Sequence, residues 1–191
     1  MKYILSIILF ILISSITFEI MAFNSSFQDY LIQNSQRENR TIENQKILEF
    51  FKTGIMQLNM TEDELKHMHE VRNLNTYFEL FIYLLLIIFV SILFIARLDF
   101  FEMLFQLWAP LSTFIIILVL GILLPSQMFT LFHSIFFPQG NYLFPTDSFL
   151  ITLYPESYFF SLFYFISAIA LSISLILIVI GKKYCKQSIP K

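Results

Sequence analysis

The stretch YFELFIYLLLIIFVSILFIA, Tyr77 to Ala96, is long and apolar enough to cross a bilayer as one helix. A spanning helix needs roughly 20 mostly apolar residues, because its backbone polar groups must be bonded within the segment. Three other stretches qualify, at about 3–23, 104–124 and 158–180. The 191 residues are 57% hydrophobic and 14% charged, which excludes an ordinary soluble domain. We predict an all-α integral membrane protein with four transmembrane helices, forming a single membrane domain over residues 1–191.

Basic residues near the span ends predict the orientation. Lys2 precedes the first span and Arg97 follows the second. Further lysines follow the fourth span, at Lys182, Lys183 and Lys186. Segment 125–157 has no Lys or Arg. Because cytoplasmic loops are enriched in these residues, we expect both termini in the cytoplasm and segments 24–76 and 125–157 outside. A cleaved signal peptide is the alternative interpretation of the first span, although the span is long for one.

The two outer segments contain further helical patterns. In the first, apolar residues recur at the spacing of an amphipathic helix lying in the membrane interface: Ile47, Leu48, Phe51, Ile55 and Leu58. Thr61 and Glu64 form a capping-box pattern, so a second extracellular helix begins there and continues into the second span. In the second outer segment, prolines delimit a helix over 126–137. Residues 142–158 read as a partly buried outer loop.

The three histidines of the chain all fall in the predicted outer segments, at His67, His69 and His133. His67 and Glu70 share a helix face, where a carboxylate can orient an imidazole and raise its basicity. Aromatic residues flank His133, and an apolar surround disfavours the imidazolium, which keeps a neutral base available near pH 7. Solvated or packing histidines explain the same spacing and are the commoner case.

Other polar residues add less. Glu19 and Glu79 lie near the ends of predicted spans, and such acids either face the protein interior or reach the headgroups. The pair His67 and His69 resembles part of a zinc site, but no H-E-x-x-H pattern and no defined third ligand accompany it. We expect no metal and no cofactor. Motifs for hydrolases, nucleotide binding or dinucleotide binding are missing from the sequence, and we expect no nucleic-acid partner.

Two sets of motifs carry a family resemblance. The helix before the second span has the pattern His-Met-x-acid-Val-basic from His67 to Arg72. The second outer segment has Phe-His-x-Ile-Phe-Phe around His133, Gly-Asn-Tyr-Leu-Phe from Gly140, Asp147, and Tyr-Pro-Glu-x-Tyr-Phe from Tyr154. Together with the four-span plan, these motifs resemble the bacterial lipoprotein intramolecular transacylases, the Lit family.

The resemblance implies a multi-pass enzyme of the bacterial cytoplasmic membrane with its active site toward the outer leaflet. Such an acyltransferase, an intramolecular O-to-N transacylase, moves the sn-2 acyl chain of an S-diacylglyceryl-cysteine lipoprotein to the α-amino group of the same cysteine. The product is the lyso-form lipoprotein. The implied partners are the diacylglyceryl-modified lipoprotein and membrane lipid, and we expect a monomer.

Carried over by position, His67 and His133 are the catalytic pair. The implied substrate-binding residues are Glu70, Arg72, Tyr142, Asp147 and Glu156. The family pattern favours Asp where Glu70 stands and Trp where Tyr142 stands, so any contact that needs an indole N–H is in doubt here. Neither the residues nor the resemblance assigns which histidine is the base.

A non-catalytic interpretation also fits the residues. In it, the chain is a small membrane accessory or assembly protein whose outer segment docks a partner. A transporter fits poorly, because polar residues inside the spans are few and lie toward one end.

Overall fold

The computed structural model describes residues 1–35, 40–96, 99–140 and 142–185, and the regular structure in these ranges is helical. The helices are α1 (Lys2–Ala22), α2 (Ser25–Ser35), α3 (Thr41–Thr53), α4 (Glu62–Ala96), α5 (Phe100–Phe105), α6 (Trp108–Leu123), α7 (Pro125–Phe136), α8 (Phe149–Leu153) and α9 (Glu156–Cys185). The orientation signals Arg97 and Lys186, and Asn141 of the Gly-Asn-Tyr-Leu-Phe motif, lie outside the described residues.

Four parts of the described chain are helical, long and apolar enough to cross a membrane: Lys2–Ala22, Glu62–Ile95, Phe100–Leu123 and Glu156–Cys185. The four predicted spans are therefore confirmed. The second span and the outer helix before it form the single helix α4, as the capping-box pattern predicted. The third is divided, because α5 ends at Phe105 and α6 begins at Trp108.

The chain divides into two compact units. The first comprises Met1–Phe18, Glu79–Ile122 and Phe165–Lys191, and we call it the span unit. The second comprises Glu19–Phe78 and Leu123–Tyr164 and contains all three histidines, so we call it the histidine unit. The single membrane domain over 1–191 stays a prediction.

Apolar contacts and one close approach characterise the span unit. The rings of Phe10 and Phe114 pack edge to face at 5.3 Å between centroids. At Gly181 of α9, a Cβ would lie 2.5 Å from the backbone nitrogen of Phe105 and 2.7 Å from the carbonyl oxygen of Phe101. Only a residue without a side chain fits there, so Gly181 lets the backbones of α9 and α5 touch.

Helix α3 belongs to the histidine unit and is shorter than predicted. It ends at Thr53, because Gly54 takes the left-handed conformation (φ 78°) and donates its N–H to the carbonyl of Phe50 at 2.8 Å. The prediction of an amphipathic helix reaching Ile55 and Leu58 is wrong. Ile47, Leu48 and Phe50 of α3 are buried against protein, and the placement of this helix in the membrane interface stays a prediction.

The second outer segment is more regular than predicted. Helix α7 begins at Pro125, where the missing N–H costs no helical bond, and ends at Phe136 before Pro138. The predicted loop over 142–158 contains the short helix α8, so that part of the prediction is wrong. Ser148 caps α8 by accepting the N–H of Ile151 at 3.3 Å.

Candidate active site

A reciprocal cap fixes the start of the helix that carries His67. The backbone N–H and hydroxyl of Thr61 donate to Oε2 of Glu64 at 3.0 and 2.9 Å, and the N–H of Glu64 donates to the hydroxyl oxygen of Thr61 at 3.3 Å. This is the capping box read from the sequence, now confirmed. It sets the first turn of α4, one turn before His67.

Glu64 also binds a distant helix start, which the sequence did not reveal. Its other oxygen, Oε1, accepts the N–H of Leu150 in α8 at 3.0 Å. The side chain is 2% exposed, so these bonds are shielded from water. Because helix N-termini attract negative charge, one carboxylate stabilises both α4 and the first turn of α8. Glu64 therefore ties the segment after Tyr142 to the helix of His67.

The imidazole of His67 lies among aromatic rings. His67 is 8% exposed. Its ring centroid is 4.7 Å from that of Phe137 and 5.5 Å from that of Phe144. Phe137 itself is buried, at the end of α7. The first predicted catalytic residue thus sits in an apolar pocket shaped by the second outer segment.

His133 is held in one orientation and one tautomer. Its Nδ1 lies 2.9 Å from the carbonyl oxygen of Phe129, one turn earlier in α7. A carbonyl oxygen only accepts, so Nδ1 carries the proton and Nε2 keeps the lone pair. Burial lowers the pKa of His133 below its usual 6.5, and the bond to Phe129 opposes this only in part. His133 is therefore neutral near pH 7, with a basic nitrogen available.

One phenyl ring connects the two predicted catalytic residues. The centroid of Phe137 lies 4.7 Å from that of His67 and 5.7 Å from that of His133. The distance between the two imidazole centroids therefore cannot exceed the sum of these two distances. Residues 66 positions apart in the sequence thus pack against the same phenyl ring.

Three predicted substrate-binding residues lie near the two histidines or on α4, the helix that carries His67. Tyr142 is half-buried, with its ring centroid 4.9 Å from that of His133. Glu70 is half-buried on α4, one turn after His67. Arg72 donates its Nε–H to the carbonyl of Phe51 at 3.1 Å and so joins α4 to the last turn of α3. The position of Tyr142 beside His133 suits contact with a ligand. The bond from Arg72 to Phe51 instead stabilises the packing of α4 against α3.

The remaining two, Asp147 and Glu156, are exposed. Asp147 lines a cleft of about 780 Å³ that residues 59–61, 63, 64, 139, 140, 143–145 and 147–149 enclose in part. Glu156 is the first residue of α9. His69 is also exposed, and its ring packs against Phe50 at 5.1 Å. In the described part of the chain, no three His, Cys, Asp or Glu side chains are grouped so that they could hold a metal ion.

A partly buried chain of polar side chains in the histidine unit was not predicted. Tyr154 donates its hydroxyl to Oδ1 of Asn44 at 2.8 Å, and Nδ2 of Asn44 donates to Asp29 at 2.8 Å. Burial raises the pKa of the Tyr154 hydroxyl well above 10, so it stays a neutral donor. Tyr158 similarly donates to the side-chain oxygen of Gln28. These bonds join α3 to the segment before α9 and α2 to the first turn of α9, and no local pattern marks such distant partners.

The comparisons with known proteins agree with one another. A sequence model of the family described as lipoprotein intramolecular transacylase Lit matches residues 1–159. The chain is similar to an uncharacterized protein of Aquifex aeolicus (strain VF5), with 27% identity over 132 residues. That match covers 66% of this chain and 59% of the relative, so the chain spans less than two thirds of that protein's length.

A solved structure gives the fold independently. The chain is similar to the in meso structure of the membrane-integral lipoprotein intramolecular transacylase Lit from Bacillus cereus, with a TM-score of 0.79. The match covers 97% of this chain and 95% of that chain at 17% sequence identity. At this identity the likeness establishes the fold. The predicted class, an all-α integral membrane protein, is confirmed.

Proposed function

The chain belongs to the lipoprotein intramolecular transacylase family, and we propose that it moves the sn-2 acyl chain of an S-diacylglyceryl-cysteine lipoprotein to the α-amino group of the same cysteine. Family membership implies an acyltransferase of the bacterial cell membrane, and the four apolar helices make it a multi-pass protein. The product of the proposed reaction is the lyso-form lipoprotein, with an N-acyl and an S-monoacylglyceryl group.

The observation that carries this proposal is the shared contact of two buried imidazoles with Phe137. Transfer of an acyl group from an ester to an amine needs a base for the amine proton and an acid for the departing oxygen. It also needs a hydrogen-bond donor for the oxyanion of the tetrahedral intermediate. Two neighbouring imidazoles provide all three functions.

His133 fits the role of general base. Its Nδ1–H is committed to the carbonyl of Phe129, which leaves Nε2 to accept a proton from the attacking amine. Its lowered pKa keeps Nε2 unprotonated near neutral pH. A base of this kind removes the proton as the nitrogen bonds to the acyl carbon.

His67 then acts as the hydrogen-bond donor. An N–H of its neutral imidazole stabilises the developing oxyanion, and His133, which now carries the amine proton, gives a proton to the sn-2 glycerol oxygen as the ester C–O bond breaks. One C–N bond forms and one C–O bond breaks, and one proton passes from nitrogen to oxygen through His133. Both imidazoles end in the neutral form in which they began.

No protein nucleophile is required, because the amine and the ester belong to the same molecule. Holding them in contact supplies much of the acceleration, since effective molarities in intramolecular reactions reach roughly 10⁵ M or more. The aromatic surround of the pair suits this task by excluding water. The ring of Tyr142 packs against that of His133, which supports a contact of Tyr142 with the substrate near the reacting atoms.

The other substrate-binding candidates have less direct roles in this proposal. Glu70 lies one turn after His67 on α4, a spacing at which a carboxylate can orient an imidazole, and Glu156 lies at the start of α9. Arg72 keeps α4 against α3 through its bond to Phe51. The distribution of Lys and Arg supports a reaction at the outer leaflet, because segment 125–157 contains neither.

The experiment is to express the chain in a bacterium that makes diacyl lipoproteins and to sequence lipopeptide N-termini by fragmentation mass spectrometry. The product is an isomer of the substrate, so intact mass does not change and only the fragments locate the acyl chain. We expect an acyl group on the cysteine nitrogen and a monoacylglyceryl group on sulfur. Unchanged diacyl species with a free amine, in cells that accumulate the protein, contradict the proposal.

A further inference from the structure

We propose that the cleft beside His67 binds the polypeptide segment that follows the lipidated cysteine, and that it favours a segment rich in basic residues. This inference rests on the proposed function, because a lipoprotein substrate carries such a segment. The cleft measures about 780 Å³, within the range of roughly 300–1,000 Å³ found for ligand pockets. A few peptide residues fit in a space of that size.

The cleft has walls that are fixed in advance. One wall is residues 59–61, 63 and 64, and the other is residues 139, 140, 143–145 and 147–149. Glu64 connects them, because its carboxylate accepts from Thr61 in the first wall and from Leu150 just beyond the second. A cleft held open by a buried, bonded side chain loses little conformational entropy when a ligand enters. This favours binding of a flexible peptide.

The cleft lies on the path that the peptide following the reacting cysteine would take away from the two imidazoles. Phe144 lines the cleft, and its ring is 5.5 Å from the imidazole of His67. An extended chain advances about 3.3–3.6 Å per residue. Roughly two residues therefore suffice to pass from a cysteine at the imidazoles, around Phe144, into the cleft. The third and later residues of the lipoprotein reach its walls.

The lining combines polar with apolar side chains, a mixture that suits a peptide. It includes the polar side chains of Asn59, Thr61, Gln139 and Ser148. Peptide amides leaving water need such hydrogen-bond partners. Asp63 and Asp147 also line it and are both exposed, whereas none of the described lining side chains is basic. Electrostatic complementarity therefore favours lysine over glutamate in the bound segment.

The test measures binding without turnover. Two synthetic lipopeptides carry S-diacylglyceryl-cysteine with an acetylated amine, followed by Ser-Lys-Lys-Lys-Lys or Ser-Glu-Glu-Glu-Glu. The acetyl group blocks transfer, so their Kd values for the full chain in neutral detergent report recognition alone. We expect roughly threefold to tenfold tighter binding of the lysine peptide, as exposed charge pairs of this kind provide. The preference should weaken at high salt.

The matched variants locate the preference. In the double variant Asp63→Asn/Asp147→Asn, which keeps side-chain size and removes both charges, the ratio of the two Kd values should approach one. Glu62→Gln, an exposed neighbour that does not line the cleft, should keep the wild-type ratio. Equal Kd values in the wild-type protein, or a ratio that survives the double substitution, would overturn the inference.

The same peptides with a free amine separate this inference from the proposed function. If both peptides undergo acyl transfer and have equal Kd values, peptide recognition by the cleft is refuted and the transacylase activity stands. A lysine preference that depends on Asp63 and Asp147, without transfer to either peptide, supports the cleft and refutes the transacylase.

Discussion

The histidine unit and the span unit are stabilised by different interactions. In the span unit, large apolar side chains stay exposed, such as Ile95 at 83% and Val179 at 65%, and the tightest constraint is the backbone contact at Gly181. In the histidine unit, buried polar side chains bond partners far away in the sequence, as Glu64 bonds Leu150. Lipid solvates apolar surface at little cost, so a span needs few specific bonds. A site that positions two imidazoles needs many such bonds.

The difference predicts two kinds of mutant. A change in the polar bonds of the histidine unit should lower both stability and the rate of each folded molecule. A change in the packing of the span unit should lower stability and leave that rate nearly unchanged.

Glu64→Gln tests the first kind and should have the larger effect. Glu64 uses both oxygens as acceptors, whereas an amide has one oxygen and would direct its NH₂ at a backbone N–H. Loss of such a buried bond costs about 1.5–3 kcal/mol, and the transfer rate should fall because α4 and α8 shift around His67. Thermal unfolding and single-turnover rates in detergent measure both. The control is Glu62→Gln; equal behaviour of the two variants would contradict the shared role of Glu64.

Gly181→Ala tests the second kind. The new Cβ would meet the backbone of α5 at 2.5 Å, which forces the helices apart. Overpacking of this kind costs about 1–3 kcal/mol, so the unfolding temperature should drop. Val179→Ala on the same helix removes exposed atoms only and serves as the control. A rate per folded molecule that collapses in Gly181→Ala would break the distinction between the two units.

The smallest expected effect is in the pH dependence. Because the pKa of His133 is lowered in the folded protein, the unfolded state binds more protons as pH falls below 6.5, so stability present above that pH declines toward the folded pKa. Thermal unfolding measured against pH should show this decline, and His133→Asn should reduce it. A decline that His133→Asn leaves unchanged would contradict the buried, neutral His133.

Local patterns predicted the features that depend on neighbours in sequence. The four spans follow from apolar length, and the cap at Thr61 follows from a spacing of three residues. The end of α3 at Gly54 was also readable, since glycine commonly ends helices, but the apolar repeat suggested a longer helix. Ser148, a preferred N-cap residue, was a similar signal for the start of α8, although this segment was predicted to be a loop.

Features that depend on contacts between residues far apart in the sequence could not be predicted from local patterns. The bond from Glu64 to Leu150 joins residues 86 apart, and that from Tyr154 to Asn44 joins residues 110 apart. The resemblance selected His67 and His133 as a pair, but only their contacts with Phe137 show a common location. The assignment of His133 as base needed its bond to Phe129, because that bond selects the tautomer.

The measurement that tests the catalytic pair most directly is conversion of a diacyl lipopeptide by His67→Ala, His133→Ala and His69→Ala, read by fragmentation mass spectrometry. Each of the first two should slow transfer by at least about 100-fold, the range in which positioned acids and bases contribute. His69 is exposed and packs against Phe50, so His69→Ala should keep most of the activity. Near-normal transfer by a folded His67→Ala or His133→Ala protein would contradict the catalytic pair.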